Sequence, residues 1–155
     1  MILRPFNTYG PRQSLRAVIP TIIVQALKSD QVRLGSIDTR RDLTFVTDTA
    51  RGFLAAASVP DIDGVTIQLG SQAEYSIEQV AGMIGDILGK TLEIVSEQGR
   101  RRPENSEVER LFASNQVAKR RLQWQPMVGL AEGLEKTVRW FNGREDLYKS
   151  DLYCV

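Results

Sequence analysis

The sequence predicts an α/β fold in which short strands alternate with several packed helices. Runs of four or five residues rich in valine, isoleucine and leucine recur between segments whose apolar residues repeat every three or four positions. Glycine, proline and asparagine separate these segments. The apolar helical faces are many and the strands are short, so some helix surface is expected to pack against a sheet outside this sequence.

The first half of the chain is predicted to contain three short strands, at residues 1–5, 31–35 and 43–46. The turn Tyr9-Gly10-Pro11 ends the first of them. A helix is predicted over residues 19–29, because its isoleucines and leucine fall on one face and Pro20 suits the first helical turn. A second helix is predicted over residues 49–58, with Asp48 as its N-cap.

The second half is predicted to contain strands at residues 65–69 and 92–95 and helices at 77–88, 115–122 and 130–141. Ser76 and Gln79 form a capping box for the first of these helices, and Ser114 is the predicted cap of the second. The chain is accordingly divided into one domain at 1–143 and a loosely held tail at 144–155.

Composition excludes several classes of function. The net charge of +1 gives no general attraction to nucleic acid or membranes, and no apolar run approaches the roughly 20 residues of a membrane-spanning helix. The absence of histidine excludes a Ser-His-Asp triad and any histidine-based zinc site. The single cysteine, Cys154, allows no internal disulfide, so a cytoplasmic location is expected. No catalytic residue and no metal site is predicted.

Arginines recur on three separate segments of the chain. Arg12 and Arg16 follow the first turn, Arg40 and Arg41 precede a predicted strand, and residues 100–102 form a basic loop. Guanidinium groups bind phosphate oxygens in pairs, so three such groups could converge on a diphosphate. Solvated surface charge is the simpler interpretation of the same pattern.

Several other side chains allow two interpretations. Asn7 suits turn chemistry, and it could equally aim an amide donor at a ligand oxygen. Asp48 is more typical of a helix cap than of a catalyst. Tyr9 has no lysine within four residues, so no Tyr-Lys proton relay is visible there. Trp124 and Trp140 lie at or in helical segments and are interpreted as core residues.

Six segments of the chain, in order, resemble one enzyme family. They are LRPFNTYGPRQ at 3–13, VIPTII at 18–23, RRDLTFVTDTARGFLAA at 40–56, TIQLGS at 66–71, RRPENSEVERLFAS at 101–114, and LQWQP with GLEKTVRWF within 122–141. Together they resemble the extended short-chain dehydrogenases/reductases, in particular the nucleotide-sugar epimerases and 4,6-dehydratases. The resemblance covers the chain to about Phe141.

The resemblance implies roles for individual residues. Asn7 would donate to the diphosphate of a sugar nucleotide, and Arg41 and Arg102 would bind that diphosphate from two loops. Val32 and Leu34 would flank the nucleobase. The nucleotide pocket would be lined by Arg16, Ala17 and Val18. The nicotinamide end of the cofactor would lie near Pro5 and Phe6.

Two hallmarks of that family are not found in this sequence. The Gly-x-x-Gly-x-x-Gly turn that binds the NAD pyrophosphate and the Tyr-x-x-x-Lys proton relay have no match here. The resemblance therefore implies a small C-terminal, substrate-binding portion of an NAD-dependent enzyme, lacking most of the Rossmann sheet. Such a portion is expected to be inactive alone and to bind NAD only weakly, although the complete enzyme would use NAD.

Two functions remain open. The chain binds a nucleotide-diphosphate sugar as part of a dehydratase or epimerase, or it is a stand-alone, non-catalytic binding or oligomerisation module derived from that fold. The helices at 19–29 and 49–58 are expected to expose apolar faces, so the expected partner is a second copy of the chain or a missing Rossmann half.

Overall fold

The computed structural model describes residues 1–97, 99 and 108–148, and in these ranges it has the predicted mixture of helices and short strands. The helices are α1 (Val18–Lys28), α2 (Val46–Ser58), α3 (Ile77–Leu88), α4 (Gln116–Leu122) and α5 (Leu130–Phe141). The strands are β1 (Ile2–Pro5), β2 (Thr8–Tyr9), β3 (Gln31–Leu34), β4 (Arg40–Asp42), β5 (Thr44–Phe45), β6 (Thr66–Leu69), β7 (Glu74–Ser76), β8 (Glu93–Ser96) and β9 (Arg110–Leu111).

The described strands are divided among four small sheets. Strand β1 pairs in parallel with β6, β2 with β5, and β3 with β8. Strand β4 lies between β7, which is antiparallel to it, and β9, which is parallel to it. Each sheet has two or three strands, so helices rather than a large sheet provide most of the packing surface.

The larger hydrophobic core lies between α1, α3 and α5. Ile22 and Ile23 of α1 are fully buried, as are Val80 and Ile84 of α3 and Leu134 of α5. The expectation that α1 presents its apolar face to a sheet outside the chain is therefore wrong. Helix α3 and strand β3 cover that face within this chain.

A second, smaller core lies beneath the β1–β6 pair. Ile67 and Leu69 of β6 are fully buried against α4, which contributes Ala118 and Leu122. Trp124 also belongs to this cluster and is only 4% exposed, which confirms its interpretation as a core residue. The two cores share no buried residue, so the β1–β6 unit packs separately from the α1–α3–α5 unit.

Helix α2 is apolar on two faces, and the described part of the chain covers only one of them. Gly52 and Ala56 are buried towards β6 and the second core. On the opposite face, exposed apolar residues recur at helical spacing, and we call this set the α2 stripe: Val46, Ala50, Phe53, Leu54 and Ala57. Leu54 is 70% exposed and Phe53 is 48% exposed. The expectation of an uncovered apolar face is met at α2.

The predicted capping box is confirmed. Ser76 Oγ accepts a hydrogen bond from the Gln79 backbone N–H at 3.1 Å, and Gln79 Oε1 accepts from the Ser76 N–H at 2.9 Å. Helix α3 ends at Gly89, whose φ of 67° is the left-handed conformation that glycine adopts at low cost.

Two predicted caps and one strand boundary are wrong. Helix α2 begins at Val46 with Phe45 as its N-cap, so Asp48 lies inside the first turn. The predicted strand at residues 43–46 is correspondingly limited to β5. Helix α4 begins after Asn115, not after Ser114.

The beginning of the predicted tail packs on α5. The ring of Tyr148 lies 5.0 Å from that of Phe141 and 6.3 Å from that of Trp140, measured between centroids. The division of the chain at residue 143 stays a prediction.

Gly133 of α5 is required by a close approach, and its replacement tests the packing of α5 on β2. A Cβ at this position would overlap the Tyr9 hydroxyl and lie 3.0 Å from Phe45 Cδ2. We expect Gly133→Ala to lower the free energy of unfolding by about 1–2 kcal/mol, because overpacking exceeds the gain in helix propensity. Urea unfolding followed by circular dichroism measures this.

Gly82→Ala in α3 is the matched control, because a Cβ there meets nothing within 4 Å. This variant is expected to be as stable as the wild type or slightly more stable. Equal stability changes in the two variants would contradict the packing described for Gly133.

Candidate functional site

A cavity of about 440 Å³ lies where the β2–α1 loop, the end of β3, strand β4 and strand β9 meet. Its walls combine arginine side chains with apolar residues such as Leu15, Leu43 and Ile77. This volume is within the usual range for small-molecule sites, which also mix apolar walls with a few polar groups. The cavity is therefore the candidate site.

Six of the residues predicted for ligand binding line this cavity: Asn7, Arg16, Ala17, Val18, Leu34 and Arg41. They come from five separate segments of the chain, and the fold brings them together. Val32 does not line the cavity, because it is fully buried in the larger core. Pro5 and Phe6, at the end of β1, do not line it either. Arg102 lies outside the described residues.

Asn7 joins the end of β1 to β4. Its side-chain Nδ2 donates to the Asp42 backbone carbonyl at 3.1 Å. Its backbone carbonyl accepts from the Thr44 N–H at 3.2 Å. The side chain is thus held in one orientation at the cavity wall. This bond uses one of the two amide hydrogens, and Asn7 retains the other for donation.

The arginines of the cavity are held in different ways. Arg41 lies on β4, and its Nη1 donates to the Arg40 carbonyl at 2.9 Å and to the Glu109 carbonyl at 3.5 Å. These bonds direct the guanidinium across β4 towards the segment that leads into β9. Arg16 lies on the exposed loop before α1. Arg33, on β3, is a third arginine in the lining, and the sequence patterns did not identify it.

The charged side chains among the described lining residues of this cavity all have one sign. Arg16, Arg33 and Arg41 contribute to the lining, whereas none of its described lining residues is an aspartate or glutamate. The whole chain has a net charge of only +1, so this local excess of positive charge is not a consequence of composition. A cavity of this kind attracts anions.

Asp42, next to Arg41 on β4, has a fully buried carboxylate. Its Oδ1 accepts from the N–H and the hydroxyl of Ser71, at 2.6 and 2.7 Å. Its Oδ2 accepts from the N–H groups of Gln72 and Ala113, at 3.1 and 3.2 Å. Four donors satisfy the buried charge, and they come from the segments after β6 and before α4.

Asp48 plays a similar role for α2 and α5. Its Oδ2 accepts from the N–H groups of Met127 and Val128, both at 2.9 Å, and its Oδ1 accepts from Arg51 at 2.8 Å. Its backbone carbonyl accepts from Trp124 Nε1 at 2.9 Å. Asp48 therefore binds the loop that leads into α5, and this explains its complete burial without a capping role.

Tyr9 is a packed core residue and not a proton-transfer group. Its hydroxyl donates to the Leu130 carbonyl at 3.3 Å, and its ring stacks edge-on against Phe45. Burial, reinforced by the negative charge of Asp48, raises the pKa of the Tyr9 hydroxyl well above its usual value. The hydroxyl therefore stays protonated at neutral pH.

Within the described ranges, no group of three or more His, Cys, Asp or Glu side chains is arranged to hold a metal ion. A separate search of the same residues finds no helix with the length and apolar character needed to cross a membrane.

Comparison with known proteins decides the family. The sequence profile of the GDP-mannose 4,6 dehydratase family matches residues 1–137. The chain belongs to this family. The prediction of an extended short-chain dehydrogenase/reductase of the nucleotide-sugar epimerase and dehydratase group is thereby confirmed.

Individual members of the group share both sequence and fold with the chain. UDP-glucuronic acid decarboxylase 1 of Xenopus tropicalis is 32% identical over 145 residues, which are 90% of this chain and 32% of that protein. An epimerase of Methanothermobacter thermautotrophicus is 32% identical with a TM-score of 0.83, over 94% of this chain and 44% of that one. UDP-glucuronic acid 4-epimerase of Bacillus cereus was solved with UDP-glucuronic acid and NAD. It is 30% identical with a TM-score of 0.81, over 93% of this chain and 45% of that one.

The chain spans less than half the length of these family members. Their structures confirm the predicted fold class, because this chain superposes on one part of a larger extended short-chain dehydrogenase/reductase fold.

Asp42 offers a test of how the segment RRDLTFVTD at 40–48 holds the candidate site together. We expect Asp42→Asn to lower the free energy of unfolding by roughly 2–3 kcal/mol, because an amide NH₂ would face backbone N–H donors that lose their acceptor. Urea unfolding measures the loss. Asp86→Asn, at an exposed position of α3, is the control and should change little. Similar stabilities for the two variants would refute the structural role of Asp42.

Proposed function

We propose that the chain is the nucleotide-sugar-binding portion of an NAD-dependent dehydratase or epimerase, and that it does not catalyse that reaction alone. The observation that carries this proposal is the charge of the cavity, to which three arginines and no described acidic residue contribute. Guanidinium groups match phosphate oxygens in both charge and geometry. Membership of the family supports the same ligand class.

The proposed ligand is a nucleotide-diphosphate sugar. Arg16 and Arg41 bind its phosphates, and Asn7 donates its remaining amide hydrogen to a phosphate oxygen. The apolar residues Val18 and Leu34 form a wall for the flat nucleobase. The roles of Val32, Pro5, Phe6 and Arg102 remain predictions, since these residues are not part of the cavity lining that is described. The identity of the base and of the sugar stays open.

The described residues do not fit the pyrophosphate of NAD. In a dinucleotide-binding unit, a glycine-rich turn leads from a strand into a helix whose N-terminal N–H groups meet the phosphates. The described helices begin instead after the N-caps Ala17, Phe45, Ser76, Asn115 and Gly129, none of them within such a turn. We therefore propose that NAD requires the part of the relatives' fold that this sequence does not cover.

Ligand-detected NMR with UDP-glucose tests the proposed function. The wild type is expected to bind, and Arg41→Ala should weaken binding about ten- to a hundredfold, because a hydrogen bond to a charged group is worth roughly 1.5–3 kcal/mol. Arg41→Lys should restore part of the affinity, since it keeps the charge and loses the planar fork. Arg16→Ala is a second variant whose side chain makes no described contact that folding could depend on.

Arg139→Ala provides the control, because it removes an equal charge from the exposed surface of α5. Binding that is equal in the wild type and in the Arg41, Arg16 and Arg139 variants would show that these arginines are ordinary surface charge. The dissociation constant of NAD from the same chain should lie far above the low micromolar range. Tight NAD binding, or turnover of the sugar nucleotide, would contradict the proposed division of function.

We also propose that the α2 stripe contacts the part of the relatives' fold that lies outside this sequence. The stripe is apolar, exposed and continuous over three turns of α2, and exposed apolar faces of this kind mark contact surfaces. In the solved family members, one chain contains both the part that matches this sequence and a larger part that does not. A lysine in the α2 stripe should therefore weaken contact with that unmatched part, because it places a charge on the apolar surface.

Co-expression tests this contact. The segment of the Methanothermobacter epimerase outside the matched region should co-purify with the wild-type chain and be lost with Leu54→Lys. Ser58→Lys, also exposed on α2 but polar in the wild type, should retain it. Self-association of the chain, seen by light scattering and undiminished by the added segment, would support a homo-oligomer instead.

A further inference from the structure

Arg33 is a cavity residue to which neither the sequence patterns nor the comparisons give a role. It lies on β3 between Val32 and Leu34, which are 0% and 3% exposed. Because side chains alternate along a strand, Arg33 points away from the core, and it is exposed where it contributes to the cavity lining. Its side chain therefore lies at the rim of the cavity.

The backbone of Arg33 is held by a single side chain from α1. The Arg33 N–H donates to Gln25 Oε1 at 3.0 Å, and Gln25 Nε2 donates to the Arg33 carbonyl at 3.2 Å. Gln25 thus satisfies the edge of β3 that pairs with no strand among the described residues. On the other edge, the carbonyls of Asp30 and Leu34 accept from β8 and the residue after it, both at 2.8 Å.

This double attachment fixes the position from which the Arg33 side chain extends. Residues on an anchored strand lose less conformational freedom on binding than residues on a loop, so they bind ligands at lower entropic cost. The Arg33 guanidinium makes no hydrogen bond or ion pair with any residue that the structure describes. It is positioned at the cavity and keeps its donors for a ligand.

We propose that Arg33 is a third phosphate-binding arginine of this cavity and that Gln25 is its positioning residue. Three arginines around one cavity repel each other, and an anion placed between them relieves that repulsion. The proposal rests on the proposed function, because the anion is the diphosphate of the nucleotide sugar. It adds a ligand contact from β3 to the contact that Arg41 makes from β4.

The test measures binding of UDP-glucose, UDP and uridine by ligand-detected NMR at low salt. Arg33→Ala should weaken UDP-glucose and UDP binding about two- to fivefold, as expected for an ion pair at a partly solvated rim, and the loss should shrink at high salt. Uridine binding should not change. Arg33→Lys should recover part of the loss.

Gln25→Ala tests the positioning role. It leaves every charge in place, and it should weaken UDP binding less than Arg33→Ala does. The double variant should bind UDP like Arg33→Ala alone, because Gln25 acts on binding only through Arg33 and that side chain is already absent. Additive losses in the double variant would show that Gln25 acts independently of Arg33.

Arg139→Ala is again the matched control for removal of one positive charge. Binding by Arg33→Ala equal to that of the control, while Arg41→Ala is weakened, would overturn this inference and leave the proposed function intact. An equal loss for uridine and UDP would also overturn it, because Arg33 would then contact the nucleoside. Failure of the wild type to bind either UDP ligand would overturn both.

Discussion

The buried carboxylate of Asp42 is the interaction on which the site depends. It receives hydrogen bonds from the segment that follows β6 and from the segment that precedes α4, which are 29 and 71 residues away in sequence. Its backbone carbonyl accepts from the Asn7 side chain, so the end of β1 is attached at the same residue. Arg41 directly precedes it. The position of two predicted ligand-binding residues is therefore set by one aspartate that contacts no ligand in this proposal.

In the segment RRDLTFVTD at 40–48, the aspartates lie in the interior and the arginines lie nearer the surface. Asp42 and Asp48 are buried, and their oxygens are satisfied largely by backbone N–H groups. Because the amides stabilise Asp42, no described arginine or lysine forms a salt bridge with it, and Arg41 extends towards the cavity. A carboxylate beside the cavity would compete with a phosphate for the guanidinium groups. Among the described residues, burial of Asp42 and Asp48 therefore leaves arginines as the charged groups of the cavity lining.

Local signals predicted the helices and several strands, because apolar periodicity and the Ser76 capping box act over a few residues. Strands of two or three residues, such as β2 and β9, were missed, since they are defined by partners far away in sequence. The N-cap assignment of Asp48 failed for the same reason: its partners, Met127 and Val128, are 79 and 80 residues distant. The family resemblance predicted six of the cavity residues. It did not predict Arg33, because the sequence shows only an outward-facing residue of a strand, and the strand's position beside the cavity depends on the whole fold.

The two cores explain how the candidate cavity keeps its apolar walls within this chain. The apolar walls of the cavity, including Ile19, Leu43 and Ile77, belong to the core between α1, α3 and α5, and that core is closed within this chain. The uncovered surface lies elsewhere, on the outer face of α2, whose inner face packs on the smaller core through Gly52 and Ala56. Loss of contacts at the α2 stripe need not open the cavity, since no stripe residue lines it. In the proposed function, binding of the nucleotide sugar and docking at the α2 stripe would therefore rest on separate sets of residues, so mutations could change one without the other.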